Sequence, residues 1–312
     1  MTRFEPVVDR IEPDWVVVVG DVNSTIACAL VAAKKGIPVA HVEAGLRSFD
    51  RTMPEEINRV LTDQISDLLF TTEPAARRNL LREGVDDARI HFVGNIMIDS
   101  LMSHLTKAIP AATTLRAAGV PASVLDHRPG YGVVTLHRPS NVDNHAQLKA
   151  YLETLRDLGA VCPLIFPMHP RTRRSIEAHG LSKLLQSPYL FDVHPLGYLA
   201  FLGLVKDASL VITDSGGLQE ETTALGIPCL TVRDNTERPI TVEQGTNQLV
   251  GASPDALAMA FGSLMSQDKP DLKTKRPDLW DGNTAERIVA VLCGRYDETA
   301  EWQSERRLRD AE

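Results

Sequence analysis

Residues 210–221 read LVITDSGGLQEE. Leu210, Val211, Ile212 and Thr213 form a short apolar run without a 3.6-residue rhythm, and Ser215, Gly216 and Gly217 break it before helix-favouring residues begin. This is a strand, a tight turn and a helix start. In an open parallel sheet such a junction lies at the carboxyl edge, where ligands bind, and the free N–H groups of a helix start favour phosphate. Ser215, Gly216 and Gly217 leave room for a diphosphate to approach the backbone. A plainer reading, with Asp214 or Ser215 capping the helix and the glycines making the turn, fits this segment alone equally well.

The same unit recurs in both directions from there. Residues 14–19, DWVVVV, have the β-branched run of a strand buried on both faces and end in Gly20-Asp21. Residues 22–35 form a helix stopped by Gly36, and 38–42 a strand followed by Glu43. Pro54 then starts a helix carrying Glu55, Glu56, Asn58 and Arg59. Residues 67–71 and 90–93 are strands around a helix at 74–83. Further on, strands at 131–136 and 163–168 end in His137-Arg138 and His169-Pro170, with a helix at 146–158 between them. A last strand, 229–232, leads into the loop 233–239, and helices follow at 256–265 and 284–293. Alternating strands and helices specify a doubly wound α/β chain. The proline-rich stretch 101–130 has the character of a crossing between two lobes.

Composition narrows the function. With 312 residues, 43% of them hydrophobic, the chain is long enough for two ordinary domains with real cores. A net charge of −8 supplies no general basic field for nucleic acid, so a small anion held by local cations and amides is the better ligand. The four cysteines are scattered too widely for a disulfide framework or a zinc knuckle. The start has no apolar signal region, and no apolar run is long enough to span a bilayer, which points to the cytoplasm.

Asp21, Glu43, His137, His169 and Asp214 each stand just past an apolar strand, so all belong to carboxyl edges. Facing edges would gather them into one cleft as acids and bases. Singly, each has another explanation. Asp21 fits as a helix cap, His41 and His137 as satisfied core histidines, and Glu55 with Arg59 as an i,i+4 surface pair. Arg233 and Arg238 are placed either to neutralise a diphosphate or to be solvated. Glu221, one turn into its helix, either binds ribose hydroxyls or favours the helix N-terminus electrostatically.

The segments VVGDVNST (from Val18), HVEAGLRS (His41), MPEEINR (Met53), FVGNIMID (Phe92), TLHRPSN (Thr135), TDSGGLQEE (Thr213) and RDNTERP (Arg233) closely resemble the non-hydrolysing UDP-N-acetylglucosamine 2-epimerases. They extend over most of the chain in that family's order. The resemblance implies a GT-B fold of two Rossmann-like domains, the first lacking its opening strands. Residues 1–105 would form the first domain, joined by a C-terminal helix at 296–312, and residues 106–295 the UDP-binding second. It further implies interconversion of UDP-GlcNAc and UDP-ManNAc through a glycal, with no cofactor and no metal, in a homodimer. By matching position, Asp21, Glu43, Glu55, Arg59 and His137 are the catalytic set. Asp21 and Glu43 would be the proton-transfer pair, with Glu55 in contention, and His137 the group near the departing phosphate. Ser215, Gly216, Gly217, Glu221 and Arg238 would hold UDP together with His169, and Phe201 lies where the family contacts uracil.

Two departures bear on activity. HRPSNVDN and MHPRTRR differ from the sequences with which some members read a second UDP-GlcNAc as activator, so that control is not expected. Ahead of Asp14 the resemblance implies further strands and a GTRPE turn, which this sequence does not carry. The expectation is an exposed apolar edge at 16–19, with aggregation, pairing to another chain or a start placed downstream of the true one, and a weaker diphosphate clamp. The competing functions are a hydrolysing 2-epimerase releasing ManNAc, a GT-B glycosyltransferase and an inactive truncated homologue.

Overall fold

The computed structural model describes residues 1–266 and 276–294. Its strands are β1 (Val16–Val19), β2 (Val39–Ala44), β3 (Leu68–Thr71), β4 (Ile90–Phe92), β5 (Gly132–Thr135), β6 (Leu164–Pro167), β7 (Leu190–Val193), β8 (Leu210–Thr213), β9 (Cys229–Thr231) and β10 (Asn247–Leu249). Every strand pairing among them is parallel. Contacts divide the chain into Met1–Ser100 together with the segment from Asp278, and Leu101–Pro277. The expected helix at 296–312 lies outside the described residues.

In the second unit the sheet order is β10-β9-β8-β5-β6-β7. The order in which strands are added reverses between β5 and β8, the switch point of a doubly wound sheet, where a crevice lies outside the carboxyl ends of the two strands. Alternation along the strands explains why their sequences are apolar throughout. Val134, Ile212, Leu230 and Phe166 pack on one face with Leu148, Leu152, Leu155 and Phe261, whereas Val133, Ile165, Val211 and Cys229 pack on the other with Leu204 and Leu218. Both faces are therefore covered by helices.

Residues 101–130 are more than a crossing. They contain the helices Ala111–Ala117 and Ser123–Asp126, and Ala111, Leu115, Val120 and Val124 are buried in the second unit's core. The prolines delimit these helices rather than mark a linker, because Ala111 and Leu115 fall on one helix face.

The first unit has the order β1-β2-β3-β4. Prolines at the first turn open its helices Pro54–Ile65 and Pro74–Arg82, where a missing N–H costs nothing. The helix Thr284–Leu292 belongs to the same unit. Asp99 accepts from the backbone N–H groups of Thr284 and Ala285, and Trp280 Nε1 donates to the Thr72 carbonyl.

One expectation is overturned here. The DWVVVV run is not buried on both faces: Val16 and Val18 pack against Ala29 and Ala32, but Val17 and Val19 are 47% and 52% exposed. Among the described residues β1 is an edge strand, and the helix Asn23–Lys34 packs on one of its faces. The apolar edge expected at 16–19 is thus present.

Candidate active site

Strands β1 and β2 end side by side, with the Gly20 N–H donating to the Val42 carbonyl. Asp21 follows the first and Glu43 interrupts the second. Asp21 does not cap the helix after it: Val22 is the N-cap and no side chain caps there. Its Oδ2 instead accepts from Arg59 Nε at 2.9 Å and Nη2 at 2.6 Å. The third guanidinium nitrogen, Nη1, donates to Glu56 Oε2 at 2.8 Å. Glu56 is buried and also accepts from the Ser48 N–H and hydroxyl and from the Phe49 N–H. Burial alone would raise its proton affinity, and these donors outweigh burial to hold it below the ordinary glutamate value.

The surface pair of Glu55 with Arg59 is therefore not made. Arg59 turns toward Asp21 and Glu56 because those carboxylates lie on the helix face against the sheet end, and Glu55 is exposed. Asn58 ties the same helix to the loop by donating to the Asp21 carbonyl and to Asn23 Oδ1.

Glu43 sits in a left-handed backbone conformation, φ +71°, at an irregularity of the β2–β3 register between Val42 and Ala44. A bulge re-aims a side chain, and a non-glycine residue held in this region marks local strain at a site that the surrounding structure over-determines. The Glu43 carboxylate lies beside Gly20, with Oε2 3.5 Å from the position a Cβ there would take.

In the second unit, His137 and Asp214 follow the neighbouring strands β5 and β8 at the switch point. Asp214 is fully buried. It accepts from the backbone N–H groups of His137 and Arg138 and from Asn141 Nδ2, and its Oδ1 is 2.9 Å from His137 Nδ1. Burial pushes its carboxyl upward, but His137 and the two N–H groups hold it below the usual aspartate value. Neither Asp214 nor Ser215 caps the helix Gly216–Leu225, since no side chain bonds at that N-cap. Asp214 is engaged across the strand ends instead.

With Nδ1 facing Asp214, chemistry at His137 falls to Nε2, and the ring is 39% exposed, so it is not a core histidine. The His169 ring stands 5.5 Å from it, centroid to centroid. His169 caps its own helix by accepting the Arg171 N–H at Nδ1, and burial with the nearby His137 keeps its proton affinity low.

Beside the Ser215 turn, a Cβ on Gly216 would fall 2.8 Å from Glu237 Oε1 and 3.1 Å from Arg238 Nη1. Glycine is thus required for Arg238 to approach the helix start. Arg238 is held by Glu237 at 2.8 Å and Glu220 at 2.9 Å. Arg233, by contrast, is buried and paired with Glu237 at 2.7 Å, so it is not a solvated loop arginine. Burial would raise Glu237, but the two arginines lower it to about 2. Glu221 accepts from the Tyr198 hydroxyl at 3.0 Å, and burial raises its proton affinity. Phe201, half-buried, is on the same helix as Tyr198.

Glu56, Asn141, Tyr198 and the partnership of Asp214 with His137 are not singled out by the sequence. Glu56 carries a local signal, its i,i+3 spacing to Arg59, and Asn141 ends the TLHRPSN segment, but the contacts of Asn141, Tyr198 and Asp214 join distant segments. Among the described residues, no group of three or more His, Cys, Asp or Glu side chains is placed to hold a metal ion.

A family model described as UDP-N-acetylglucosamine 2-epimerase matches residues 1–293. The UDP-N-acetylglucosamine 2-epimerase of Methanocaldococcus jannaschii is 44% identical over 300 residues, covering 95% of this chain and 80% of the relative. That of Methanococcus maripaludis is 40% identical, covering 94% and 79%. Among solved structures, the M. jannaschii enzyme in complex with UDP-GlcNAc and UDP matches with a TM-score of 0.79 at 43% identity, over 94% of this chain and 79% of that one. The Neisseria meningitidis UDP-GlcNAc 2-epimerase bound to UDP-GlcNAc gives 0.78 at 29% identity, over 94% and 80%.

Proposed function

The chain belongs to the UDP-N-acetylglucosamine 2-epimerase family, and on that premise we propose how its own residues carry the reaction. It interconverts UDP-GlcNAc and UDP-ManNAc on a GT-B fold. The C2 hydrogen of the intact sugar is not acidic, so inversion proceeds by elimination. A carboxylate takes the C2 proton while the C1–oxygen bond breaks and its electrons leave with UDP. The resulting glycal stays bound, a proton returns to the opposite face of C2, and UDP oxygen adds back at C1.

Asp21 and Glu43 are the proton-transfer pair, with Glu55 the competing carboxylate. Arg59 holds the Asp21 carboxylate by two donors of one guanidinium that converge on Oδ2. His137 serves the departing diphosphate through Nε2, oriented by Asp214. Ser215, Gly216, Gly217, Arg238 and His169 hold the diphosphate, Glu221 the ribose and Phe201 the uracil. The observation that carries this reading is the switch point itself: a buried carboxylate orienting an exposed imidazole one residue before a glycine turn approached by an arginine. We further propose that the enzyme works as a homodimer in the cytoplasm, where UDP-sugars are available; sedimentation tests the first point and fractionation the second.

Incubation with UDP-GlcNAc in heavy water, followed by NMR, tests the reading. Deuterium at C2 of both UDP-sugars is expected. Free ManNAc would instead identify a hydrolysing enzyme, transfer only with an added acceptor a glycosyltransferase, and no change an inert chain.

A further inference from the structure

His41 is fully buried at the middle of β2 and, as a core histidine must, finds a hydrogen-bond partner at each ring nitrogen. Both ring nitrogens face acceptors. Nδ1 is 2.6 Å from Asp63 Oδ1 and Nε2 is 2.9 Å from the Gly20 carbonyl oxygen. A carbonyl only accepts, so Nε2 carries a hydrogen. At the other nitrogen the hydrogen belongs either to the ring or to Asp63. Oδ2 of Asp63 accepts from the Gly45 N–H at 3.1 Å and is 2.7 Å from Arg47 Nη2, so Oδ1 is the oxygen left facing the ring. Against burial, the bond from Asp63 raises the proton affinity of the imidazole, which favours the second hydrogen on the ring.

The groups facing this ring come from every element around it. β1 contributes the Gly20 carbonyl, the helix Pro54–Ile65 contributes Asp63, and β2 itself contributes Glu43, which acts on the ring through its charge. The loop after β2 contributes Arg47, whose charge is shared with Glu83. Burial by itself disfavours a charged imidazole, and Asp63, the carbonyl and Glu43 outweigh it.

We propose that His41 is a positioning residue, a permanently doubly protonated imidazolium that pins the β1 end before Asp21 and the β2 end around Glu43, and keeps Glu43 ionised. The proposal rests on Glu43 being a proton-transfer residue. Nε2 bonds to the carbonyl of Gly20, the residue beside which the Glu43 carboxylate lies, and Asp63 is at Nδ1, so the ring links Asp63 to the residue next to Glu43.

Asp63→Asn tests the charge while preserving the bonds. An amide oxygen can keep accepting from Gly45 and Arg47, its NH2 can donate to Nδ1, and a neutral ring still donates from Nε2 to Gly20. Two measurements are read. In 15N-histidine NMR of the wild-type enzyme at pH 8, one buried ring should show both N–H hydrogens, and one of them should be lost in D63N. In D63N, the pH limb of kcat/KM governed by Glu43 should move upward by about half a pH unit, because a carboxylate deprived of a nearby cation binds its proton more tightly. A wild-type ring with a single hydrogen at pH 8, or a folded D63N enzyme with an unchanged pH profile, overturns the proposal. If Glu43→Gln retained C2 exchange, the catalytic reading would fall and this proposal with it. With exchange lost in E43Q but no imidazolium seen, only the role of His41 falls.

Discussion

Asp214 holds His137 twice, accepting its backbone N–H at 2.9 Å and facing its ring Nδ1 at the same distance. The strand end and the imidazole it carries are thus oriented by one buried carboxylate. Replacing Asp214 by Asn puts an amide NH2 against one of these donors. A hydrogen bond to a charged group contributes about 2 kcal/mol, so kcat/KM should fall roughly thirtyfold or more. UDP-GlcNAc turnover by D214N against wild type checks this, and an unchanged rate would show that His137 needs no such support.

The proton-transfer assignment is tested at C2. Asp21→Asn and Glu43→Gln should each abolish deuterium incorporation from heavy water while leaving UDP binding measurable by calorimetry. Retained wash-in in either variant would remove that residue from the pair. Glu55→Gln is the informative third variant, since Glu55 is exposed and Arg59 is committed elsewhere.

Glu56 gives a stability prediction. It accepts from Ser48 twice, from Phe49 and from Arg59 within the fold. Glu56→Gln leaves buried donors facing an NH2 group and should cost about 2 kcal/mol of stability. Thermal melts read this as a drop in Tm of several degrees, and a melt within one degree of wild type would contradict it.

Gly216→Ala should weaken UDP binding without unfolding the chain. The new methyl would fall 2.8 Å from Glu237 Oε1 and 3.1 Å from Arg238 Nη1, both ends of side chains that can swing away. Moving Arg238 removes a cation from the proposed diphosphate site, and a loss of about tenfold in affinity corresponds to about 1.4 kcal/mol. Calorimetric titration with UDP measures it.

Glu237 gives a pH dependence with a defined sign. Its folded value, about 2, lies below the ordinary 4.5, so its ion pairs contribute stability that is fully present above pH 4.5. That contribution is lost as the pH falls from 4.5 toward 2, where the folded form protonates. Glu237→Gln should flatten the decline of stability over this window. Urea midpoints at pH 5 and pH 3 should therefore differ less in E237Q than in wild type.

The exposed side chains of β1 bear on self-association. Val17 and Val19 present apolar surface on an edge strand, and such edges pair with other chains. Lysines at both positions should lower concentration-dependent association in sedimentation velocity.

Much of the fold was legible because its signals are local. Continuous apolar runs such as LVIT at 210–213 identify strands covered on both faces, and Pro54 or Pro74 identifies a helix start whatever the surroundings. The same logic misled at VVVV, since a β-branched run does not say whether both of its faces find partners, and at 101–130, where prolines hid two core helices.

Within each unit, the sequence determined which residue types stand at which strand ends: Asp21 and Glu43 in the first and His137 and Asp214 in the second are fixed there by the chain itself. Tertiary structure alone decided their partners. Arg59 chooses Asp21 and Glu56 over Glu55, Asp214 serves His137 rather than a helix cap, and Arg233 turns inward to Glu237. The physical reason is distance along the chain. A side chain's local options are set by its near neighbours, but a carboxylate drawn out of water must find its donors wherever packing delivers them, and for Asp21 and Asp214 that partner lies 38 and 77 residues away.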